Sequence, residues 1–248
     1  MEALKRLRIL NGNALKFIAA ALMLVDHIGV IFFPEELLWR IVGRLSMPLF
    51  AFALSEGCRY TKNKTKHFFL LFALALLCQI VYYFFDDGNL YMSILVTFSL
   101  SVLTIYALQF CKKTVFDEKT SGLEKGLSFA LLAAMILCNF ALCQIFEIDY
   151  GFWGIMLPVF VSVFDFRGIP APAFLQKLDC LPARVFALSI GLIFLAVSFG
   201  AIEFYAFLAI PILLLYNGEK GKWKTKYFFY VFYPLHLALL QGIAMLLM

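Results

Sequence analysis

The chain is a succession of long apolar stretches separated by short polar ones. Runs dominated by Leu, Phe, Ala, Val and Ile occupy roughly residues 17–34, 37–57, 68–85, 90–110, 127–146, 151–164, 185–200, 202–216 and 228–247. A stretch of about 20 apolar residues is what an α-helix needs to cross hydrocarbon about 30 Å thick. The pattern therefore predicts an all-α, polytopic integral membrane protein with about nine transmembrane helices.

Composition supports the same solvent. Hydrophobic residues make up 63% of the 248 positions and charged residues only 15%, with a mean hydropathy of +0.90; soluble domains run near half apolar and a quarter charged. No stretch is polar and long enough to form a separate soluble domain, so residues 1–248 are expected to be a single transmembrane domain. A net charge of +5 would suggest an acidic partner such as nucleic acid in a soluble chain. In a membrane chain the placement of the basic residues carries the information instead, and no nucleic-acid partner is expected.

That placement alternates. Lys and Arg precede the first run (Lys5, Arg6, Arg8, Lys16) and follow the second (Arg59, Lys62, Lys64, Lys66) and the fourth (Lys112, Lys113, Lys119, Lys125). They recur after the sixth (Arg167, Lys177, Arg184) and the eighth (Lys220, Lys222, Lys224, Lys226), so that only Arg40 and Arg44 of the 21 fall elsewhere. The intervening connections carry acids alone: Glu35, Glu36, Asp86, Asp87, Glu147, Asp149 and Glu203. An excess of Lys and Arg marks cytoplasmic loops, which predicts an odd number of spans in the cell membrane, a cytoplasmic N-terminus and an extracytoplasmic C-terminus. The first run is too long for a signal-peptide core and no A-x-A-like site follows it. The six cysteines form no C-x-x-C pair, so neither a disulfide framework nor a metal site is expected.

Against this apolar background a few ionisable residues stand out: Asp26 and His27 in the first run, Arg40 and Arg44 in the second, His236 in the last. Asp26 lies ten residues beyond Lys16, about 15 Å along a helix. An ionised Asp at such depth costs at least about 2.5–3.5 kcal/mol unless it faces protein or water. Two readings stand: a structural ion pair with Arg44 pinning two helices together, or a functional site. His27 points about 100° away from Asp26 on a helix and is left for another partner. Arg40 and Arg44 share a face, although Arg40 could also snorkel to the outer surface. Pro48 frees the carbonyl of residue 44 within this run, whereas Glu56 reads as a solvated helix end. His236, ten residues past Lys226, sits at a depth like that of Asp26, with Tyr233 on its face. The third to eighth runs show no polar cluster at mid-depth. Asp149-Tyr150-Gly151 reads as a tight turn where substrate contact is conceivable, and Asn217-Gly218 as a turn among lysines that positive-inside topology already explains.

Ordered motifs run from end to end: LK at 15–16, M-x-x-DHIG at 23–29, GR-x-x-x-PLFAF at 43–52, EG at 56–57, YT-x-N at 60–63, DYG-x-x-G at 149–154, YNG-x-x-G at 216–221 and FYVFYPLHL at 229–237. In these the sequence resembles the TraX family of membrane proteins, named for the acetylation of conjugative F-pilin. It departs from the family pattern at Ser93, where the family often has Asn ahead of an F-T-L-like run, which leaves no clear polar role there. The resemblance implies an acyltransferase that takes acetyl from cytoplasmic acetyl-CoA and delivers it to an extracytoplasmic amine or hydroxyl, such as a pilin or other peptide amino terminus. His236 or His27 would then be the general base or transient acetyl carrier, Asp26 would balance charge, and Arg44 would steady the thioester oxygen. Arg40, Tyr233, Asp149 and Tyr150 would contact substrate, and the basic loops, through Asn217, Lys220 and Lys62, would receive the CoA phosphates. Two other classes compete: a proton-coupled transporter, because buried Asp, His and Arg also build proton relays, and a non-catalytic pilus or envelope assembly factor. No internal repeat of the kind many transporters carry is evident.

Overall fold

In the computed structural model Asn11 opens the first helix, its side-chain oxygen accepting the backbone N–H groups of Asn13 and Ala14 at 3.0 Å each. The structure describes residues 8–85, 91–223 and 226–247; Lys5, Arg6, Asp86, Asp87 and Lys224, which carry part of the charge alternation, lie outside them. Helix α1 spans Gly12–Phe32, followed by α2 (Leu37–Gly43), α3 (Ser46–Tyr60), α4 (Lys64–Phe85), α5 (Ile94–Phe116) and α6 (Gly122–Ile145). Then come α7 (Gly151–Val163), a short α8 (Ala173–Lys177), α9 (Leu181–Phe199), a 3-10 segment (Ala201–Leu208) running into α10 (Ala209–Leu214), and α11 (Lys226–Leu247). The described residues contain no β-strand.

The expected apolar runs fall on helix, the second on both α2 and α3 and the eighth on the 3-10 segment with α10, while α1 and α6 begin in polar residues that cap them. Asn11 starts α1 five residues before the apolar run. Ser121 and Glu124 form a capping box that starts α6 ahead of its own. The second run is not one continuous helix. Pro48 falls in the first turn of α3, where its missing N–H is harmless, and its ring would clash with the carbonyl of residue 44 if the helix continued; the chain breaks at Arg44-Leu45.

Five described segments are long and apolar enough to cross a membrane: α1, Leu37–Tyr60, α5, α6 and α9. The protein is thus an all-helical membrane protein among its described residues. The segments at Gly151–Val163 and Ala201–Leu214 are shorter. In the latter, eight residues in 3-10 form rise about 2 Å each, so fourteen residues reach about 25 Å rather than the 21 Å of an α-helix.

At the centre stands α3, packed by α1, α5, α7, α9, α10 and the 3-10 segment. Phe52 and Leu49 are fully buried on it. By contrast α6 is peripheral: Leu123, Leu127, Leu137 and Ile145 face outward, and its buried residues are Ser128 and Asn139. Asn139 donates to the Thr104 hydroxyl of α5 at 2.7 Å, the kind of interhelical hydrogen bond that holds helices together where lipid is as apolar as leucine. Helix α11 packs on α1 and α4. Phe17 meets Phe228 and Phe229, and ten residues further along α1 His27 meets His236, so the two helices run parallel. One end of the bundle gathers Lys16, Arg59, Lys64, Lys112 and Arg184 and is basic; the other, with Glu35, Glu36, Glu147, Asp149 and Glu203, is acidic.

Candidate functional site

Toward the acidic end, α1 and α2 are held together at Asp26. Arg40 donates to its carboxylate at 3.0 Å, and Gly43 lies so close that a Cβ there would fall 2.1 Å from an Asp26 oxygen. The expected pairing of Asp26 with an arginine of the second run is therefore made by Arg40; the Asp26–Arg44 alternative is not. Arg40 remains partly exposed, at 29% of its side chain.

Arg44 turns the other way. At the break between α2 and α3 its Nη1 donates to the Tyr150 hydroxyl at 2.8 Å and meets the Glu203 carboxylate at 3.0 Å. Both partners of this ion pair are nearly enclosed, at 9% and 5% side-chain exposure, and the Arg44 Nε has no hydrogen-bond partner. Tyr150 is delivered by the turn that the DYG-x-x-G motif encodes. Its backbone is left-handed, at φ 57° and ψ 8°, which costs a bulky residue energy and persists only where surroundings enforce it. Gly154 supplies the space, since a Cβ there would lie 2.4 Å from that of Tyr150. Asp149 beside it accepts the Tyr91 hydroxyl at 2.7 Å, and its backbone carbonyl accepts Thr97 Oγ1 at 2.7 Å. The fourth run thus does have a polar role, through Thr97 and Tyr91; Ser93 is buried nearby with its hydroxyl unpartnered.

The two histidines come together between α1 and α11. His27 and His236 pack edge to face with ring centroids 5.0 Å apart, and His236 Nε2 lies 3.4 Å from His27 Nδ1. Each Nδ1 also faces the carbonyl one turn back, Met23 at 2.8 Å and Phe232 at 2.9 Å. A carbonyl only accepts, so each Nδ1 carries the hydrogen and each neutral ring keeps its basic lone pair on Nε2. Phe232 stacks on the His236 ring and Tyr233 meets its edge, fixing the ring. His236 is buried and His27 half-buried. The result is a pair of imidazoles held by their neighbours, His27 on the same helix turn as Asp26 and His236 facing it from α11, suited to taking up and passing a proton.

A second buried polar group lies toward the basic end and corrects the reading of Glu56 as a solvated helix end. Glu56 is buried, forms an ion pair with Arg184 and accepts the Tyr216 hydroxyl at 2.7 Å. Ser55 and Ser162 share a hydrogen bond at 2.8 Å beside them. The third to eighth runs, expected to carry no polar cluster at mid-depth, supply Ser162, Tyr216 and Glu203 to buried polar groups toward the two ends. The signal was in the sequence: Glu56 and Glu203 both fall within apolar runs, and Arg184 adjoins one, so the rule applied to Asp26 covered them too. Of the remaining candidates, Asn217 accepts its own turn's Glu219 N–H at 2.8 Å, and Lys220 and Lys62 are exposed. The Asn217 loop is tied to the start of α1, where Gly12 N–H donates to the Glu219 carbonyl at 2.7 Å and Asn13 to that of Trp223 at 2.9 Å.

Among known proteins, the chain is similar over 264 aligned positions, at 27% identity, to a probable fimbrial assembly protein FimC of Dichelobacter nodosus, serogroup H1, covering 94% of this chain and 95% of that protein. It is also similar to an uncharacterized protein of Rickettsia prowazekii, strain Madrid E, at 34% identity over 82 residues and a third of each chain. No solved structure matches. The model of the family described as TraX protein matches residues 11–244, spanning both polar groups and the histidine pair, and the chain belongs to the TraX family.

Proposed function

We propose that this protein is a membrane-embedded acyltransferase of the cell membrane, with its basic end and N-terminus cytoplasmic and its C-terminus outside. It takes acetyl from cytoplasmic acetyl-CoA and passes it to an acceptor amine or hydroxyl on the far side. The observation that carries the reading is the His27–His236 pair, held beside the Asp26–Arg40 pair within a helical membrane protein. The fimbrial assembly name of the full-length relative, and the pilin acetylation after which the family is named, favour a pilin or other peptide amino terminus as acceptor.

In this reading one imidazole Nε2, of His236 or His27, removes the proton from the acceptor as its nitrogen or oxygen attacks the thioester carbonyl. The C–N or C–O bond forms, the C–S bond breaks, and the imidazole's proton passes to the departing CoA thiolate. An imidazole suits both directions because its ordinary pKa lies near neutrality. Arg44 Nε is the donor left over for the carbonyl oxygen as it gains charge, and Asp26 and Glu203 keep the arginines' charges balanced. Tyr150 positions Arg44 from the acidic end, Asp149 ties their turn to Tyr91, and Tyr233 packs edge-on against the His236 ring. Lys62, Lys220 and the Asn217 turn are exposed where the donor's phosphates would arrive.

The test is binding and turnover of labelled acetyl-CoA by the purified protein in lipid, with His27→Ala and His236→Ala alongside. Wild type should bind and slowly hydrolyse the donor, while both variants stay folded and lose turnover. Full turnover in both variants would remove the histidines from the chemistry. Absence of binding to acetyl-CoA and to longer acyl-CoAs would shift the reading to the non-catalytic assembly role that the relative's name describes.

A further inference from the structure

About 22 Å along the α2–α3 segment from Arg44, the last turn of α3 carries Arg59 into a second, unrelated constellation. Arg59 pairs with Asp165 at 3.1 Å and with Asp179, while Asp179 also accepts the Phe166 N–H at 3.2 Å. Lys112 caps the end of α7, donating to the carbonyls of Ser162, Val163 and Asp165 at 2.7–2.9 Å. This framework props open two adjoining cavities, of about 440 and 200 Å³, that share Arg59, Arg167, Gly168 and Ile169. The larger lies in the range of about 300–1,000 Å³ typical of small-ligand sites, and the smaller adjoins it.

The walls bring in three more cations. Lys64 from the start of α4 and Lys113 from the end of α5 line the smaller cavity, and Arg167 lines both. Among the described residues none of the three has a carboxylate within ion-pair distance. Arg167 is held over the Tyr60 ring at 4.3 Å and Lys64 over that of Tyr106 at 4.9 Å. Positive-inside topology explains why these cations lie at this end, but not why they converge on one hollow, where their mutual repulsion opposes folding. Arg59, Lys64, Lys113 and Arg167 outnumber Asp165 and Asp179, so the cavity keeps a net positive wall, with Thr61 and Gln109 adding neutral hydrogen-bonding groups. We infer that this cavity binds a phosphate-bearing ligand with two or more negative charges, at a site separate from the histidine pair.

The phosphate can come from a soluble nucleotide or from the headgroup of an anionic phospholipid, and one experiment separates them. Full-length protein in phosphatidylcholine nanodiscs is titrated with adenosine 3′,5′-bisphosphate by calorimetry. In parallel, protein purified from phosphatidylglycerol-containing bilayers is weighed for retained lipid by native mass spectrometry. The site variant combines Lys64→Gln, Lys113→Gln and Arg167→Gln. The control, removing the same charge from exposed positions at the same end, combines Lys66→Gln, Lys119→Gln and Lys222→Gln. The site variant should weaken the bisphosphate at least about tenfold, or lose the retained lipid, as loss of three charge-assisted contacts requires, with the control close to wild type. The first result assigns a nucleotide and the second a lipid. Neither probe binding, or equal losses in the two variants, would overturn the site. Because neither probe carries an acyl group, the outcome does not depend on acetyl transfer.

Discussion

Asp149 shows what burial does to a single residue of this protein. Its carboxyl is enclosed at the turn before α7, and burial pushes its pKa from 3.8 up to about 6, against the opposing hydrogen bond from Tyr91. A carboxyl pKa raised in the folded state means that the folded protein binds more protons than the unfolded chain between about pH 4 and 6. Stability should therefore fall as pH climbs through that window and level off above it. Asp149→Asn keeps an acceptor for Tyr91 but cannot titrate, so its melting temperature should change less across the same interval. Parallel melts of wild type and variant at about pH 4.5 and 7 decide the matter; equal pH slopes would mean that Asp149 stays ionised throughout. Tyr150, next in sequence, is likewise pushed up by burial, so it meets Arg44 as a neutral hydroxyl.

Two glycines separate what a helix needs from what a helix interface needs. Gly43 lies against Asp26 with no room for a methyl group, whereas nothing approaches the place where a Cβ would sit on Gly126 of α6. Gly43→Ala should therefore force α1 from α2, strain the Asp26–Arg40 pair and cost about 1–3 kcal/mol, the usual price of overpacking. Gly126→Ala in a helix interior should gain up to about 1 kcal/mol from propensity. Thermal unfolding of both in the same lipid gives the comparison, and a Gly43→Ala protein as stable as wild type would show that the seam is loose. The same contrast distinguishes α3, packed on all sides, from α6, whose leucines face outward.

Across the whole molecule, Arg44 joins elements that the sequence keeps far apart: the break between α2 and α3, the start of α7 and the 3-10 segment. Removing one partner of a buried ion pair leaves an uncompensated charge, and Arg44→Met or Glu203→Gln should each cost about 3–5 kcal/mol. Arg44→Met combined with Glu203→Gln should cost clearly less than the two single losses together, because the stranded charge is gone. Unfolding of the four proteins in lipid closes this cycle. Additive losses would mean that the pair contributes no coupling and that the 3-10 segment is held by packing alone.

The sequence alone determined that the chain is helical and suited to an apolar solvent, because hydrophobic run length reflects hydrocarbon thickness, though among the described residues five segments and not nine have the length to cross. It also singled out Asp26, His27, Arg40, Arg44 and His236, since charge in an apolar run is costly wherever the run packs. The motif order marked the family in the same way. What the sequence left open was partnership. Asp26 and Arg44 were natural mates by depth, yet Gly43 draws α2 onto α1 so that Arg40 takes Asp26, and the break before Pro48 turns Arg44 toward Glu203 and Tyr150. Glu56 and Arg184, 128 residues apart, looked like two surface charges of one basic end until α3 and α9 brought them into contact. Helix packing sets which side chains meet, and it depends on contacts between distant segments that no local pattern encodes. His27 and His236 became a pair only because α11 lies parallel to α1.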